Sequence, residues 1–451
     1  MKKPFLFYVS IVFLLAATVM LVVSLPLSFS ESKNSGKGEI PAESIYIFNR
    51  DSLNDILTEL GGYYDKIEHK VIRPAEGYLK YPYLIPSGFY QQMWDWDGFF
   101  MGNYFLSRGK PEYLKYWVLN FLNCVDSDGY VPGCATTEGP RPVFGKFSMK
   151  PFLSQGALLA SRAMNDFTWL EPYYEKLCRV LSYRDKTERD SLTGLYFWLN
   201  AGQSGADNNP ALNYFYKEDH RSFLACDMST MQLREFKAQA IIAKELGYKN
   251  DAAKYKAEAD SVKNAINKYL WSDADKMYYN VDRSTGNFYK RISYSCFWPL
   301  VEKLASKEDG RAMLKKYLLN PSEMKGKYGF RSLSAKDPDY NNKNIIVPFS
   351  NWQGPVWVNA NCIDAIALHN YGLEDGINWM AGTVGNMLLR DLRKYGTMHE
   401  SYDADTGKPL APAQSYVDKD GNFVGFISWN LCLRSVMESL VSGQPYLLEI
   451  K

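Results

Sequence analysis

Two carboxylates set among aromatic residues are the first candidates for chemistry in this sequence. Glu400 lies in the segment 398–403, downstream of the segment 351–359, which contains two indoles and a Gly-Pro pair. Asp207 lies in a glycine-punctuated loop at 202–210. Aromatic rings stack on the apolar faces of sugars, and one acid with one base is the minimal set for hydrolysing a glycosidic bond. A carbohydrate is therefore the first substrate class to expect.

Both the tryptophan-rich segment 86–100 and the Asp207 loop allow two interpretations. In the segment 86–100, Trp94, Trp96 and Asp97 offer stacking surfaces beside acceptors for sugar hydroxyls. The alternative is that an acid of this segment caps the start of a helix. In the loop 202–210, Asp207 follows an aromatic run, which could raise its pKa as a general acid requires. The alternative for its Asp-Asn-Asn-Pro sequence is ordinary turn chemistry.

The elements that would position these loops are nearly all helical. Residues 228–246 and 251–270 carry apolar positions at helical spacing and are joined by a turn that begins with Gly247, which predicts a helical hairpin. Further helices are predicted over 111–124, 153–163, 170–183, 292–304, 361–371, 376–392 and 428–441. Strand-like alternation is limited to 276–281 and 421–426. Repeated hairpins with polar and aromatic loops indicate an all-α fold, an (α/α) barrel with a few short strands.

Composition weighs against some classes of partner. The chain has 451 residues and a formal net charge of +2. This charge gives no electrostatic reason to expect nucleic acid or an anionic membrane surface as a partner. Aromatic residues make up 15% of the chain. Such residues often line binding clefts, although a tyrosine-rich core gives the same composition.

The N-terminus predicts export. Lys2 and Lys3 precede an uncharged, mostly apolar run over 4–29, which is typical of a secretory signal with a small-x-small cleavage site at 28–30. The run is also long enough to span a bilayer as an uncleaved anchor. We therefore predict a signal or anchor over 1–30, a flexible linker over 31–50 and one domain over 51–451, either periplasmic or secreted.

The seven cysteines and four histidines show no metal-ligand spacing. Cys124 and Cys134 flank a polar loop and could form a local disulfide in an oxidising compartment. The other five lie in apolar surroundings and are predicted to be buried free thiols: Cys178, Cys226, Cys296, Cys362 and Cys432.

Taken in order, five motifs resemble those of the (α/α)6-barrel glycoside hydrolases of the processing α-glucosidase (family 63), mannosylglycerate hydrolase and trehalase group. They are Trp96-Asp97, the Lys-Pro segment 150–155, the acid loop 203–210, the Trp-x-Gly-Pro-x-Trp motif at 352–357, and Glu400 followed by Tyr402-Asp403. The resemblance runs from about residue 87 to the C-terminus. Each motif alone is modest, but five in the same order are specific.

The resemblance implies roles for individual residues. Asp207 would be the general acid and Glu400 the general base of a hydrolysis that inverts the anomeric centre, with no metal or organic cofactor. Carboxylates about 6.5–9.5 Å apart leave room for the attacking water. The sugar pocket would be lined by Trp94, Trp96, Asp97, Gln155, Asn208, Trp352, Gly354, Trp357 and Tyr402. The expected substrates are α-linked glucose- or mannose-containing oligosaccharides or glycosides, and we expect a monomer.

Departures from the family pattern bear on the substrate. Gln203 stands where the family usually has Glu, and the segment 352–355 replaces the trehalase motif Trp-Asp-x-Pro-Asn-Gly, so trehalose is disfavoured. If the missing charge normally keeps the acid protonated, the pKa of Asp207 would be lower here. The alternatives are a sugar-binding protein without catalysis, or another (α/α)6 sugar enzyme such as a trehalase, an unsaturated-uronide hydrolase or an epimerase. The scattered histidines argue against an epimerase, and the presence of both acids argues against a binding protein.

Overall fold

The computed structural model describes residues 48–88, 90–143, 146, 148–212, 223–346, 350–411, 416–417 and 420–443. The chain divides into one unit over Met1–Tyr46 and another over Ile47–Lys451. The predicted signal or anchor and most of the predicted linker therefore lie outside the described residues. Over the described ranges, no helix is both long and apolar enough to cross a membrane.

The described chain is built from helices that alternate between an inner and an outer ring. In chain order the helices are α1 (Arg50–Ile67), α2 (Asp95–Ser107), α3 (Glu112–Asn123), α4 (Leu153–Met164), α5 (Tyr174–Thr187), α6 (Ala201–Ser204), α7 (Cys226–Glu245), α8 (Lys249–Tyr269), α9 (Trp298–Val301), α10 (Lys307–Met313), α11 (Val358–Asn370), α12 (Glu374–Tyr395) and α13 (Cys432–Ser442). The inner ring consists of α2, α4, α7, α9, α11 and α13.

Each inner helix packs against the next, and α13 packs back against α2, so the inner ring is closed. On the outside, α3 covers α2 and α4, α8 covers α7, α12 covers α11, and α1 covers α12 and α13. The inner helices α2 and α11 are buried along most of their length, whereas α8 and α12 bury one face only, as expected for an outer layer. The predicted all-α (α/α)6 barrel of helical hairpins is confirmed.

Short turns and strands fill the loops. Tight 3₁₀ turns occur at Glu68–Val71, Thr168–Tyr173, Tyr294–Phe297 and Ser428–Leu431, and a π turn occurs at Leu314–Leu318. The strands are β1 (Ile72–Arg73), β2 (Tyr83–Leu84), β3 (Met93–Trp94), β4 (Cys134–Thr136), β5 (Gly139–Pro140), β6 (Phe223–Leu224), β7 (Trp271–Ser272), β8 (Met277–Tyr278), β9 (Asn280–Asp282), β10 (Phe288–Tyr289), β11 (Ser401–Tyr402) and β12 (Pro409–Leu410). They pair antiparallel as β1-β2, β3-β4-β5, β6-β9-β10, β7-β8 and β11-β12.

Most predicted helices agree with the structure apart from small shifts at their ends. The predicted helix 170–183 starts as a 3₁₀ turn that contains Pro172, and the α-helix begins only at Tyr174. The predicted helix 292–304 consists of a 3₁₀ turn followed by the single-turn α9, and Lys303 beyond it has a left-handed φ of +54°. Among the described residues, the strand-like segment 421–426 contributes only one isolated bridge, from Phe423 to Val417.

All seven cysteines are free thiols, so the local disulfide considered for Cys124 and Cys134 is not formed. The Cys124 thiol is directed at the backbone oxygen of Asn120, at 3.4 Å, while Cys134 lies in β4 opposite Trp94. Cys178 is only partly buried, which corrects the prediction for that residue. The prediction of buried free thiols is confirmed for Cys226, Cys296, Cys362 and Cys432.

Candidate active site

The loops that precede the inner helices carry most of the predicted site residues. Trp94 is the residue before α2, so Trp96 and Asp97 lie in the first turn of that helix. Trp357 is likewise the residue before α11. Because inner and outer helices alternate along the chain, all inner helices start at the same end of the ring. Their N-termini also provide partial positive charge, which suits a site that contains carboxylates.

Asp207 follows a tight loop that lies against an indole ring. The single-turn α6 is capped by the side chain of Asn200 and ends at Gly205, which has a φ of +82°. A Cβ added to Gly205 would lie 2.5 Å from Cζ2 of Trp96, so only glycine permits this contact. The loop conformation that leads to Asp207 therefore depends on the glycine as well as on the acid.

The surroundings of Asp207 favour its protonated form. The side chain is half-buried, and the hydroxyl of Ser350 donates a hydrogen bond to its Oδ2. Burial raises the pKa of Asp207 to about 7, against smaller lowering effects from the Ser350 hydrogen bond and the charge of Lys150. A carboxyl group with a pKa near neutrality can act as a general acid at physiological pH.

Gln203 takes part in the scaffold of the acid loop. Its Oε1 accepts from the backbone N of Leu199 at 2.8 Å, and its Nε2 donates to the backbone O of Ser148 at 3.2 Å. Its side chain also hydrogen-bonds to the fully buried Glu188, so a glutamate at position 203 would place two buried carboxylates together. The pKa of Asp207 is raised above its ordinary value without a carboxylate at 203, because burial is the largest effect on it.

Glu400 directly precedes β11 and is 6% exposed. The hydroxyl of Tyr416 donates to its Oε2, and Tyr90 also hydrogen-bonds to the carboxylate. The pKa of Glu400 is raised to about 8, mainly by burial and also by the charges of Asp97 and Asp207, against the hydrogen bonds from the two tyrosines. The fold therefore brings Asp207 and Glu400, distant in sequence, within electrostatic reach of each other.

Asp97 and Lys150 complete the charged part of the candidate site. Oδ1 of Asp97 accepts from the Ser428 hydroxyl at 2.8 Å, and burial raises the pKa of Asp97 to about 7. The ammonium group of Lys150 lies 4.9 Å from the centre of the Trp96 ring. Its positive charge lowers the pKa of both Asp97 and Asp207. Lys150 thus stabilises negative charge in a site where burial opposes it.

Four stacked or tilted indole rings, those of Trp96, Trp352, Trp357 and Trp429, form an indole wall. Trp352 and Trp357 stack face to face with their ring centroids 4.1 Å apart. Trp96 lies 5.6 Å from Trp352 and 5.4 Å from Trp429. The indole nitrogens of Trp94, Trp352 and Trp429 are buried without an acceptor among the described residues. Unmatched donors of this kind are expected where a polar ligand completes the site.

The segment 352–356 connects the loops that carry the two acids. The backbone N of Trp352 donates to Oδ1 of Asn208 at 2.7 Å, which ties the segment to the acid loop. Val356 exchanges two backbone hydrogen bonds with Tyr402, at 2.8 and 3.1 Å. Asn208 is adjacent to one candidate acid, and Tyr402 lies two residues beyond the other. The segment therefore holds both loops in a fixed relation.

Three of the predicted pocket residues have mainly structural contacts. Both atoms of the Gln155 amide are hydrogen-bonded in the packing of α4 against α7. A Cβ on Gly354 would lie 2.3 Å from the backbone O of Asn341, so Gly354 permits a close contact between two chain segments. Tyr402 is fully buried, and its hydroxyl donates to Asp391 at 2.6 Å. The structure groups the remaining predicted residues around the indole wall and the acids.

Sequence reasoning missed five members of the site: Tyr90, Lys150, Ser350, Tyr416 and Trp429. Trp429 could have been found, because it stands at the start of the predicted helix 428–441. Lys150 lies in a recognised motif, but its distance from the Trp96 ring and its ion pair with Asp95, at 3.0 Å, depend on the fold. Ser350 and Tyr416 carried no signal, because each is a single polar residue in a loop.

Comparison with known proteins places this chain in a family. The family described as the mannosylglycerate hydrolase MGH1-like glycoside hydrolase domain matches residues 90–417. A periplasmic trehalase of Escherichia coli is 22% identical over 363 residues, which cover 67% of this chain and 60% of the trehalase. The chain thus spans less than two thirds of the length of these relatives.

Solved structures show the same fold. The mannosylglycerate hydrolase of Thermus thermophilus in complex with Tris and D-glycerate has a TM-score of 0.63 at 17% identity, with 85% of this chain and 100% of that chain covered. The neutral trehalase of Saccharomyces cerevisiae has a TM-score of 0.60 at 18% identity, covering 80% of this chain and 73% of that one. The family match covers most of the chain, so this protein belongs to the mannosylglycerate hydrolase MGH1-like glycoside hydrolases, of the family 63 and trehalase-like type.

Proposed function

We propose that this protein is an exported glycoside hydrolase that acts with inversion on α-linked glucose- or mannose-containing oligosaccharides or glycosides. The observation that carries the proposal is the proximity of Asp207 and Glu400, two acids with raised pKa values, beside the indole wall. Two acids in one aromatic cleft are the set that inverting hydrolysis requires. Membership of a glycoside hydrolase family supports the reaction class.

In the proposed reaction, Asp207 gives its proton to the glycosidic oxygen as the bond from that oxygen to the anomeric carbon breaks. A water molecule attacks the same carbon from the opposite face, and Glu400 takes one of its protons. The products are an alcohol and a sugar of inverted configuration. Proton exchange with solvent then restores the protonated Asp207 and the ionised Glu400.

The titrations of the two acids are linked, and with pKa values of about 7 for Asp207 and about 8 for Glu400 the singly protonated free site holds its proton more often on Glu400 than on Asp207. Negative charge on Asp207 raises the pKa of Glu400. Glu400 therefore ionises more readily while Asp207 keeps its proton, because one source of repulsion is absent. The hydrogen bond from Tyr416 also favours the ionised base. The state with a proton on Asp207 and a charge on Glu400 is the one that the mechanism uses.

The sequence and the relatives support the location and the sugar. The basic residues Lys2 and Lys3 before an apolar run, together with the periplasmic location named for the E. coli trehalases, support export. The T. thermophilus hydrolase is named for mannosylglycerate, and one of its structures contains glucose. Glucose and mannose are therefore the sugars to test first. The replaced trehalase motif at 352–355 disfavours trehalose, and we expect the protein to act as a monomer.

Proton NMR of the purified protein with α-linked glucose and mannose substrates, trehalose included, tests the proposal. We expect the β-anomer of the released sugar to appear first, and no turnover by Asp207→Asn or Glu400→Gln. Asp364→Asn, a change of a buried acid in the middle of α11, should leave turnover intact. First appearance of the α-anomer would exclude inversion, and activity in either site variant would exclude the assigned roles. Sugar binding without hydrolysis by the unaltered protein would favour a binding function instead.

A further inference from the structure

We propose that Asp391, an acid of the outer helix α12, is a positioning residue that directs the Glu400 side chain at the attacking water. The inference rests on the proposed role of Glu400 as the general base. No sequence motif singles out Asp391, which lies nine residues before Glu400 and on a different element. The case depends on three hydrogen bonds that converge on one oxygen of this acid.

Asp391 is 4% exposed, and its Oδ2 is the meeting point of these bonds. It lies 2.8 Å from Nδ1 of His399, 3.0 Å from the backbone N of His399 and 2.6 Å from the hydroxyl of Tyr402. The Tyr402 hydroxyl also accepts from the backbone N of His399 at 2.9 Å. The other oxygen, Oδ1, is buried and has no donor among the described residues. The side chain is thus committed to His399, directly before Glu400, and to Tyr402, two residues after it.

Other contacts fix the backbone around the base. Nδ2 of Asn430 donates to the backbone O of His399 at 2.8 Å. The backbone N of Phe426 donates to the backbone O of Met398 at 2.7 Å. After Glu400, Tyr402 pairs with Val356. These bonds hold the chain on both sides of Glu400, but Asp391 alone in this set contacts the backbone and the side chain of His399 together. It therefore controls how the chain enters residue 400.

Small shifts of a catalytic group have large effects on rate. A displacement of about 1 Å can cost about 100-fold in rate. Glu400 must also keep its contact with Tyr416 while a water molecule occupies the gap to the sugar. Weakening the Asp391 bonds would let residues 399–402 shift, and the base would no longer meet the water at hydrogen-bond distance. Binding of the sugar depends mainly on the indole wall, so KM should change little.

The first experiment compares kcat and KM of the full-length protein with those of Asp391→Asn. We expect kcat to fall about 10- to 100-fold with KM within about twofold of the original value. Asp364→Asn is the matched control, because Asp364 is also a fully buried acid of a long helix. Far-UV circular dichroism confirms folding of each variant. Should Asp391→Asn fail to fold, Tyr402→Phe, which removes one donor to Asp391, is judged by the same criteria.

Rescue by azide separates a positioning role from a purely structural one. Azide attacks the anomeric carbon of an α-glycosyl fluoride directly, fluoride leaves, and no base is needed. Azide should therefore restore rate and give the β-glycosyl azide with Glu400→Ala and equally with Asp391→Asn. Failure with Glu400→Ala would overturn the proposed role of that residue. If azide rescues Glu400→Ala, either of two results with Asp391→Asn would overturn the positioning role alone. These are an unchanged kcat without azide and no rescue by azide.

Discussion

The buried charge of Glu400 should make the fold less stable at alkaline pH, and Glu400→Gln should remove this effect. The pKa of Glu400 rises from 4.5 to about 8. One pKa unit corresponds to about 1.4 kcal/mol. The ionised side chain therefore costs the folded protein on the order of 4–5 kcal/mol relative to the unfolded chain, whereas a neutral amide of nearly the same shape carries no such cost.

The sign follows from the direction of the shift. Because the pKa in the folded protein lies above that in the unfolded chain, this contribution to the free energy of unfolding is fully present below about pH 4.5. It is lost progressively as the pH rises to about 8 and changes no further above that. The loss is absent in Glu400→Gln, so the variant and the original protein should differ least near pH 5 and most above pH 8.

Urea unfolding followed by tryptophan fluorescence, at about pH 5 and about pH 8.5, measures the effect. We expect the stability advantage of Glu400→Gln to grow by several kcal/mol between the two values, while turnover is lost at both. Glu308→Gln, at an exposed position of α10, controls for the loss of one negative charge. A stability difference that is the same at both pH values, or a variant less stable than the original at pH 8.5, would refute the reasoning.

Two further predictions concern the rate and the acid loop. The pH profile of kcat/KM should be bell-shaped with limbs at about 7 and about 8, from Asp207 and Glu400 as a coupled pair. Lys150→Met should move the profile to higher pH, because the positive charge that lowers the pKa of Asp207 is removed, and an unmoved profile would contradict this. Gly205→Ala should lower both kcat and the melting temperature, since the new methyl group meets Trp96 at 2.5 Å. Gly247→Ala is its control, with a similar φ of +84° and open space around it, so its kcat should not change. Equal effects of the two alanines would show that backbone strain alone is responsible.

The sequence predicts most of the helical framework because amphipathic helices leave a local pattern. The hairpin of α7 and α8 is read directly from apolar spacing and the turn at Gly247. The inner helix α2 was not predicted, because it is buried on nearly every side and has no polar face to create a period. The outer helix α1 was also missed, since it overlaps the segment taken as a linker and domain start.

The candidate site was predictable where aromatic residues and acids form motifs at helix starts. Asp207, Glu400, Trp96 and Trp352 meet because each lies in a loop or a first turn at one end of the ring. The hydrogen bond from Ser350 to Asp207 was not predictable, because it joins loops 143 residues apart. No local pattern encodes a contact of that kind, and it becomes visible only once the ring of helices is closed.

In the proposed inverting reaction, the segment 352–356 ties the stereochemistry to a length of backbone. The acid loop is attached at Trp352, and the chain that carries the base is attached at Val356. An extended chain advances about 3.3–3.6 Å per residue. The segment bends at Gln353 and Gly354, so deleting one residue here would draw the two attachment points together by at most that amount, which is similar to the difference between the carboxylate gaps of inverting and retaining enzymes. Replacements in the indole wall could therefore change the preferred sugar during evolution, while the configuration of the product would be preserved for as long as this count of residues is kept.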